Sequence, residues 1–410
     1  MKVAVLGLGM EGQNAVKALL DYGYQVYASD LNENIILNRL EDVNLELDLG
    51  FHDYKKIDSS DAVVVSPVLY GNKIVKKIIS DGKMLSDILT AHKSVLTIGV
   101  TGTNGKTTTC FMLQAILEKT GLNVLLGGNA GGGFGGYTNV VLDASKKEYD
   151  IIIVEVCDMT LDIASYIFDF DMVLVTNIGS DHMDYHLNLE NYRKSVCKFL
   201  NNKKQAFLNV NDILLKKCSG HAKKTFFFDF YTGKLELFGN FNRENAGGAF
   251  KVAEALKISP KIIEEVLSSF TIVEGRTTTI RYNGANIIIG KTDNSNAAAA
   301  VFKEAPMDVI MIGTPRKNET HRYNILKEVS NTNPSLVILF PGLDDTTNTA
   351  LKILRDKGYN GKICIIKEED DIVDITVKCT TKYKNIFIGG NGQKKIISLE
   401  KRLSKLSNKS

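Results

Sequence analysis

The sequence has no tryptophan, only six prolines and only six cysteines in 410 residues. The cysteines (Cys110, Cys157, Cys197, Cys218, Cys364 and Cys379) are scattered, and no two form a CxxC pair. That spacing indicates neither a zinc site nor a disulfide framework, so the expectation is mostly buried thiols in a reducing cytoplasm. Long hydrophobic runs are missing as well: none approaches the ~20 residues that a membrane-spanning helix needs. The opening Met1-Lys2-Val3-Ala4-Val5-Leu6-Gly7 reads as a strand running into a glycine turn and lacks the layout of a signal peptide. Nor is there an excess of one charge. Lys and Arg number 50 against 47 Asp and Glu, a net +3, and this gives no global reason for a nucleic-acid or membrane partner. The basic end, Lys394 to Ser410, reads as a solvated terminal helix. The shortage of proline and tryptophan beside many Lys, Ile and Asn hints at an A·T-rich genome, which says little about function.

What is present is a chain 44% hydrophobic and 24% charged, the balance of a soluble protein with well-filled cores. It is too long for one ordinary domain. Apolar strands alternate with helical segments, which implies parallel sheets covered by helices. A first unit, residues 1–93, shows strands at Lys2–Leu6, Gln25–Ser29 and Ala62–Ser66, with helices at Gly12–Tyr22 and Lys73–Ser80. A second, 94–279, opens with a strand at Ser94–Val100 and includes Ile151–Val154 and Met172–Thr176, apolar runs suited to burial on both faces; Ala206–Val210 reads as a further strand. A third, 280–410, has strands at Ile287–Ile289, Val309–Ile312, Leu336–Phe340, Lys362–Ile366 and Asn385–Ile388. The expected architecture is three α/β domains in series: a Rossmann-like one, a central phosphate-loop ATPase-like one, and a second Rossmann-like one.

The strongest chemical signal is Thr101-Gly102-Thr103-Asn104-Gly105-Lys106-Thr107-Thr108, a glycine-rich turn between an apolar strand and a helix over Lys106–Lys119. Glycines let successive backbone N–H groups converge on phosphate oxygens, and the helix N-terminus adds its positive end. Lys106 can reach the outer phosphates, and the Thr107 hydroxyl is placed for Mg²⁺. Val100 stands where strict Walker spacing has glycine. A metal partner is expected at a neighbouring strand end. Glu155 closes Ile151-Ile152-Ile153-Val154, and His182 lies in the polar cluster after Met172–Thr176. Three strands thus deliver polar groups at carboxyl ends, where open α/β sheets bind ligands. The first unit carries its own loop, Gly7-Leu8-Gly9-Met10-Glu11-Gly12, with Asp30 ending the next strand, placed for a ribose hydroxyl. A nucleotide or nucleotide-linked substrate there is at least as well supported as NAD.

Taken together the motifs resemble the Mur ligase family of three-domain, ATP-dependent amide-bond ligases, most closely the muramoyl-alanine–glutamate and muramate–alanine branches at the N-terminal end. The resemblance covers most of the chain. It is carried by the two glycine loops, Val63-Val64-Val65-Ser66-Pro67, Glu155, Asp181-His182-Met183-Asp184, Asn209-Val210-Asn211-Asp212, Gly239-Asn240-Phe241-Asn242-Arg243-Glu244-Asn245-Ala246 and Gly275-Arg276. It implies ATP and Mg²⁺, with Thr107, Glu155 and His182 at the metal and Lys106, Glu155 and His182 in catalysis. Gly102 to Thr108, Asn242, Asn245 and Arg276 would hold the nucleotide. Gly7, Gly9, Gly12, Asp30 and Ser66 would hold a UDP-linked peptide precursor, the third domain would bring the free amino acid, and Asp293 would bind amine or ribose. The implied mechanism is phosphoryl transfer to a carboxylate, then displacement of phosphate by the amine. The implied state is a cytoplasmic monomer with neither nucleic-acid nor membrane partners.

Four departures place the chain on a divergent branch. Val196 stands where many members carry a carbamylated lysine, and Lys194 and Lys198 would lie roughly 200° away from it around a helix. Phe241-Asn242 replaces a His-Asn pair. Either Asp293 or Gly290 occupies an Asp-led motif, and Gly127-Gly128-Asn129-Ala130-Gly131-Gly132-Gly133 is unusually glycine-rich. The archaeal pseudomurein peptide ligases diverge in this way. The alternatives are a ligase of the same fold acting on a folate polyglutamate or a tetrapyrrole, an NAD-dependent dehydrogenase, and a catalytically impaired ATP-binding regulator.

Overall fold

A computed structural model describes residues 1–37, 40, 42–271 and 273–407; the last three residues of the basic end fall outside these. The described strands form three sheets. The first has the order β3-β2-β1-β4 and is parallel throughout. Its strands are β1 (Lys2–Leu6), β2 (Gln25–Asp30), β3 (Leu45–Leu49) and β4 (Ala62–Val65). The second, also parallel, runs β10-β9-β8-β5-β7-β6. It contains β5 (Leu96–Thr101), β6 (Val124–Gly128), β7 (Ile151–Glu155), β8 (Met172–Val175), β9 (Gln205–Asn209) and β10 (Lys224–Phe228). The third runs β11-β12-β16-β13-β14-β15, from β11 (Thr278–Tyr282), β12 (Ala285–Ile289), β13 (Val309–Gly313), β14 (Leu336–Phe340) and β15 (Lys362–Ile365) to β16 (Asn385–Gly390). Only its β11–β12 pairing is antiparallel. This is the expected mixed α/β fold on parallel sheets, and β11 begins two residues ahead of the break that the sequence suggests.

Continuous apolar runs explain the central strands. Residues 151–155 of β7 are all buried, as are the four of β8, because helices cover both faces of a parallel sheet. One core joins β1, β2 and the first helix, α1 (Met10–Asp21), to the helix Tyr137–Lys146 and to β7 and β8 of the second sheet. The first two sheets therefore share buried apolar surface.

Close approach sets the start of α1. Gly7 takes φ +84, and a Cβ at Gly12 would lie 1.8 Å from the Gly7 carbonyl oxygen. Because that neighbour is backbone, a methyl group could enter only if α1 backed away from β1. Gly12→Ala is expected to lower stability by about 1–3 kcal/mol, read from urea or thermal melts; an unchanged midpoint would contradict this contact.

The cysteine expectation needs correction. Cys197 and Cys218 are joined as a disulfide, with Cα atoms 5.0 Å apart. Cys197 lies in α3 (Leu189–Leu200), and Cys218 follows the short helix after β9; the βα connection brings together what 21 residues separate. Cys110, Cys157, Cys364 and Cys379 remain free thiols.

Candidate active site

The central strand of the second sheet, β5, lies between β7 and β8. The chain leaves β5 toward α2 (Lys106–Lys119), so the crevice opens at carboxyl ends where the strand order switches direction. A cleft of about 1550 Å³ occupies this place and takes its walls from all three sheets' loops. Gly7, Gly9, Asp30 and Ser66 line it from the first sheet, Lys106, Glu155 and His182 from the second, and Asp293 from beyond β12. Thr103, Asn104, Gly105, Thr107, Thr108, Asn242, Asn245 and Arg276 line it too. Gly102 and Gly12 are not among its walls. A Cβ on Gly102 would meet Thr176 Oγ1 at 2.2 Å, so that position serves loop closure.

The phosphate loop is held by β8's continuation. Asn104 N donates to Asn177 Oδ1 at 3.0 Å, Thr176 Oγ1 to Asn104 O at 2.6 Å, and Gly179 N to Thr103 Oγ1 at 2.7 Å. Gly105 caps α2 in the left-handed region at φ +86, and a Cβ there would sit 2.0 Å from Asn245 Oδ1, so glycine is required twice over. Asn245 Nδ2 donates to Asn242 Oδ1 at 3.1 Å, and Asn242 Nδ2 to Phe238 O at 2.8 Å. The asparagine pair is thereby fixed on α4 (Asn240–Ala255), against the loop.

Lys106 folds back, donating to Gly102 O at 2.7 Å and Thr103 O at 2.9 Å. Burial works against its charge, but the Asp158 and Glu155 carboxylates outweigh burial and hold the ammonium above its ordinary value. Glu155 is fully buried. It accepts from the Thr107 hydroxyl at 2.6 Å and from Asn129 Nδ2 at 2.9 Å. Arg276 Nη2 donates to Thr107 Oγ1 at 2.7 Å and to Gly132 O at 3.2 Å, while its Nε is buried with no partner. An unpartnered guanidinium N–H beside the phosphate loop is a donor ready for an anionic ligand.

Residues beyond β12 close over this centre. Asn294 Nδ2 donates to Asn104 Oδ1 at 2.9 Å, and Ser180 N to Asn296 Oδ1 at 2.8 Å. Arg322 ties Asp181 (3.2 Å) to Asp293 (3.1 Å), and Lys291 lies 3.5 Å from Asp293. Burial disfavours the Asp293 charge, but Lys291 and Arg322 outweigh it and hold the carboxyl well below the usual range. Of the two candidates for the Asp-led motif, Asp293 is the one facing the cleft. A Cβ at Gly290 would meet Thr277 Cα at 2.4 Å, so Gly290 is a backbone crossing. Val196 is fully buried, Lys194 is exposed and Lys198 pairs outward with Asp162, so neither lysine of α3 replaces a ligand there.

In the first sheet Asp30 is engaged by its own loop: Leu8 N donates to it at 2.5 Å and Asn32 N at 2.8 Å. These two bonds fix the carboxylate at the cleft wall and leave each oxygen a further acceptor site. Sequence reasoning missed Asp158, Asn129 and Arg322. Asp158, three residues past Glu155, was the one within reach of a strand-end argument. Cys157, Asp158 and His182 place one potential metal-ligating atom each within 4.8 Å of one another.

Residues 100–301 match the Mur ligase middle domain. The chain carries a Mur ligase middle domain. The Mur ligases that the chain is similar to are ATP-dependent, ADP-forming ligases. The chain is 25% identical to the UDP-N-acetylmuramoylalanine–D-glutamate ligase of Lawsonia intracellularis, over 97% of this chain and 94% of that one. Its fold matches a pseudomurein peptide ligase type C from Methanothermus fervidus (TM-score 0.62, 21% identity), covering 98% of this chain and 99% of the other. It also matches the UDP-N-acetylmuramate–alanine ligase of Thermotoga maritima (TM-score 0.64, 15% identity) over the full length of both chains. No helix among the described residues is long and apolar enough to cross a membrane.

Proposed function

We propose that the chain joins an amino acid to a UDP-linked cell-wall peptide precursor, of peptidoglycan or pseudomurein type, through an acyl phosphate made from ATP. The observation that carries this reading is the convergence of Lys106, Glu155 and His182 with Arg276 and Asp293 on one cleft. Its full-length similarity to a glutamate-adding ligase supports the substrate class.

The Thr107 hydroxyl and the Glu155 carboxylate offer the oxygen donors that suit Mg²⁺, and His182 would add one nitrogen. Mg²⁺, when bound, neutralises charge on the transferring phosphoryl group. The chain's own groups do the rest. Lys106 leaves its loop carbonyls for the γ-phosphate, and Arg276 offers its free Nε to the nucleotide. The acceptor carboxylate, held by the first-sheet loops, attacks the γ-phosphorus and ADP departs. The amine then attacks the acyl carbon, loses a proton, and phosphate leaves. The lid formed by Asn294, Asn296 and Arg322 excludes water from the acyl phosphate.

The deciding experiment measures phosphate release with UDP-glutamyl or UDP-muramoyl acceptors, each combined with a panel of amino acids. Release should require both partners and match amide formed. Release with a folate or tetrapyrrole and no UDP compound would reassign the substrate. Tight NADH binding without ATP turnover, or ATP binding without acceptor-stimulated release, would end the ligase reading.

A further inference from the structure

Beyond its charge toward Lys106, Asp158 takes no part in the steps above, yet its surroundings are constrained. Its side chain is 2% exposed. Both its oxygens lie 3.0 Å from His182 Nδ1, and Oδ2 lies 2.8 Å from His186 Nε2. His186 is itself 1% exposed and stacks on Tyr192, with ring centroids 4.2 Å apart and planes 13° apart. The Tyr192 hydroxyl lies 3.4 Å from Thr103 Oγ1 in the phosphate loop. His182 lines the cleft, and its backbone sits in the left-handed region at φ 49 and ψ 35. For a residue other than glycine that conformation costs free energy and persists only where the surroundings enforce it. The turn therefore aims this imidazole rather than merely accommodating it.

An ionised carboxylate only accepts hydrogen bonds, so each imidazole nitrogen facing Asp158 carries the proton. For the neutral His182 imidazole this places the proton on Nδ1 and leaves Nε2 as the nitrogen with a free lone pair. A carboxylate behind an imidazole fixes its tautomer and orientation and strengthens it as a ligand. We propose that Asp158 is a positioning residue: it holds His182 as the Nδ1–H tautomer so that Nε2 serves a divalent cation in the cleft. His186, wedged between Asp158 and the Tyr192 ring, keeps the carboxylate from turning toward the cation itself. The inference rests on the reading of the cleft as a metal–nucleotide site.

The test uses the full chain, Mn²⁺ as a spin probe and a non-hydrolysable ATP analogue. Free Mn²⁺ is followed by electron paramagnetic resonance for wild type, Asp158→Asn, His182→Gln and the double variant. Asp158→Asn keeps the shape but supplies one acceptor oxygen where two imidazoles donate. It should weaken Mn²⁺ binding by about 10–100-fold, a larger loss than any in metal-free analogue binding. The double variant should bind no more weakly than His182→Gln, since the two act as one unit. Wild-type Mn²⁺ affinity in Asp158→Asn, or additive losses in the double variant, would overturn the assignment. A second readout needs no variant that might misfold as a confounder: ¹⁵N-histidine resonances of the wild-type chain, which has six histidines. They should show His182 with a protonated Nδ1 and a bare Nε2 in its neutral form, and the opposite tautomer would overturn the proposal. If the wild-type chain binds no Mn²⁺ with the analogue, the parent reading falls. If it binds and Asp158→Asn binds equally, only the role of Asp158 falls.

Discussion

Lys106→Ala should lower the rate of ADP formation by at least about 10²–10³-fold, the cost of removing one donor aimed at transition-state charge. In the structure its ammonium is parked 2.7 and 2.9 Å from two carbonyls of its own loop, a short swing from where phosphates would sit at the start of α2. Asp158 and Glu155 keep it charged despite burial, so the full positive charge is present when phosphate arrives. Shortening the side chain leaves the loop backbone intact, because the Asn104, Thr103 and Thr176 bonds to the β8 continuation do not involve it. The variant should therefore keep a wild-type far-ultraviolet spectrum and a cooperative melt. A coupled ADP assay beside circular dichroism checks both halves, and undiminished turnover would sink the mechanism.

That lysine was legible from sequence because strand, glycine turn and helix are local features, and the central strands were legible because double burial gives unbroken apolar runs. Strands β3, β6, β10 and β11 were not seen, and each lies at the edge of its sheet. Edge strands face solvent on one side, so Leu45-Glu46-Leu47-Asp48-Leu49 alternates with charge and Val124-Leu125-Leu126-Gly127-Gly128 dissolves into glycine. The site divides in the same manner. Glu155 and His182 could be placed because each follows its own strand. Arg322 reaches Asp181 across 141 residues, and Asp158 reaches His186 across 28; no local spacing encodes either contact. The valine at position 196 looked like a gap in the site. The fold shows a buried core residue there, and a different carboxylate, Asp158, stands against His182.

The second large effect is expected at Glu155. Glu155→Gln preserves volume and hydrogen-bonding reach but removes the only charge in the Thr107–Glu155–Asn129 group. In the wild-type chain the carboxylate can only accept, so the Thr107 hydroxyl must donate to it, and Arg276 then donates to Thr107 from the other side. That chain of donors directs the Thr107 oxygen's remaining lone pair and a negative carboxylate toward one place, where a divalent cation is proposed to bind. An amide in this position can reverse its own polarity and remove the charge at once. Turnover should fall by about 10²–10³-fold, and the Mg²⁺ concentration giving half-maximal rate should rise by about 10-fold or more. The second number separates the roles. A residue that only supports the loop would lower the rate at every Mg²⁺ concentration in proportion, whereas a metal-holding carboxylate shifts the Mg²⁺ dependence itself. A Mg²⁺ titration of initial rates at saturating ATP decides between them, and an unshifted midpoint would remove Glu155 from the metal site.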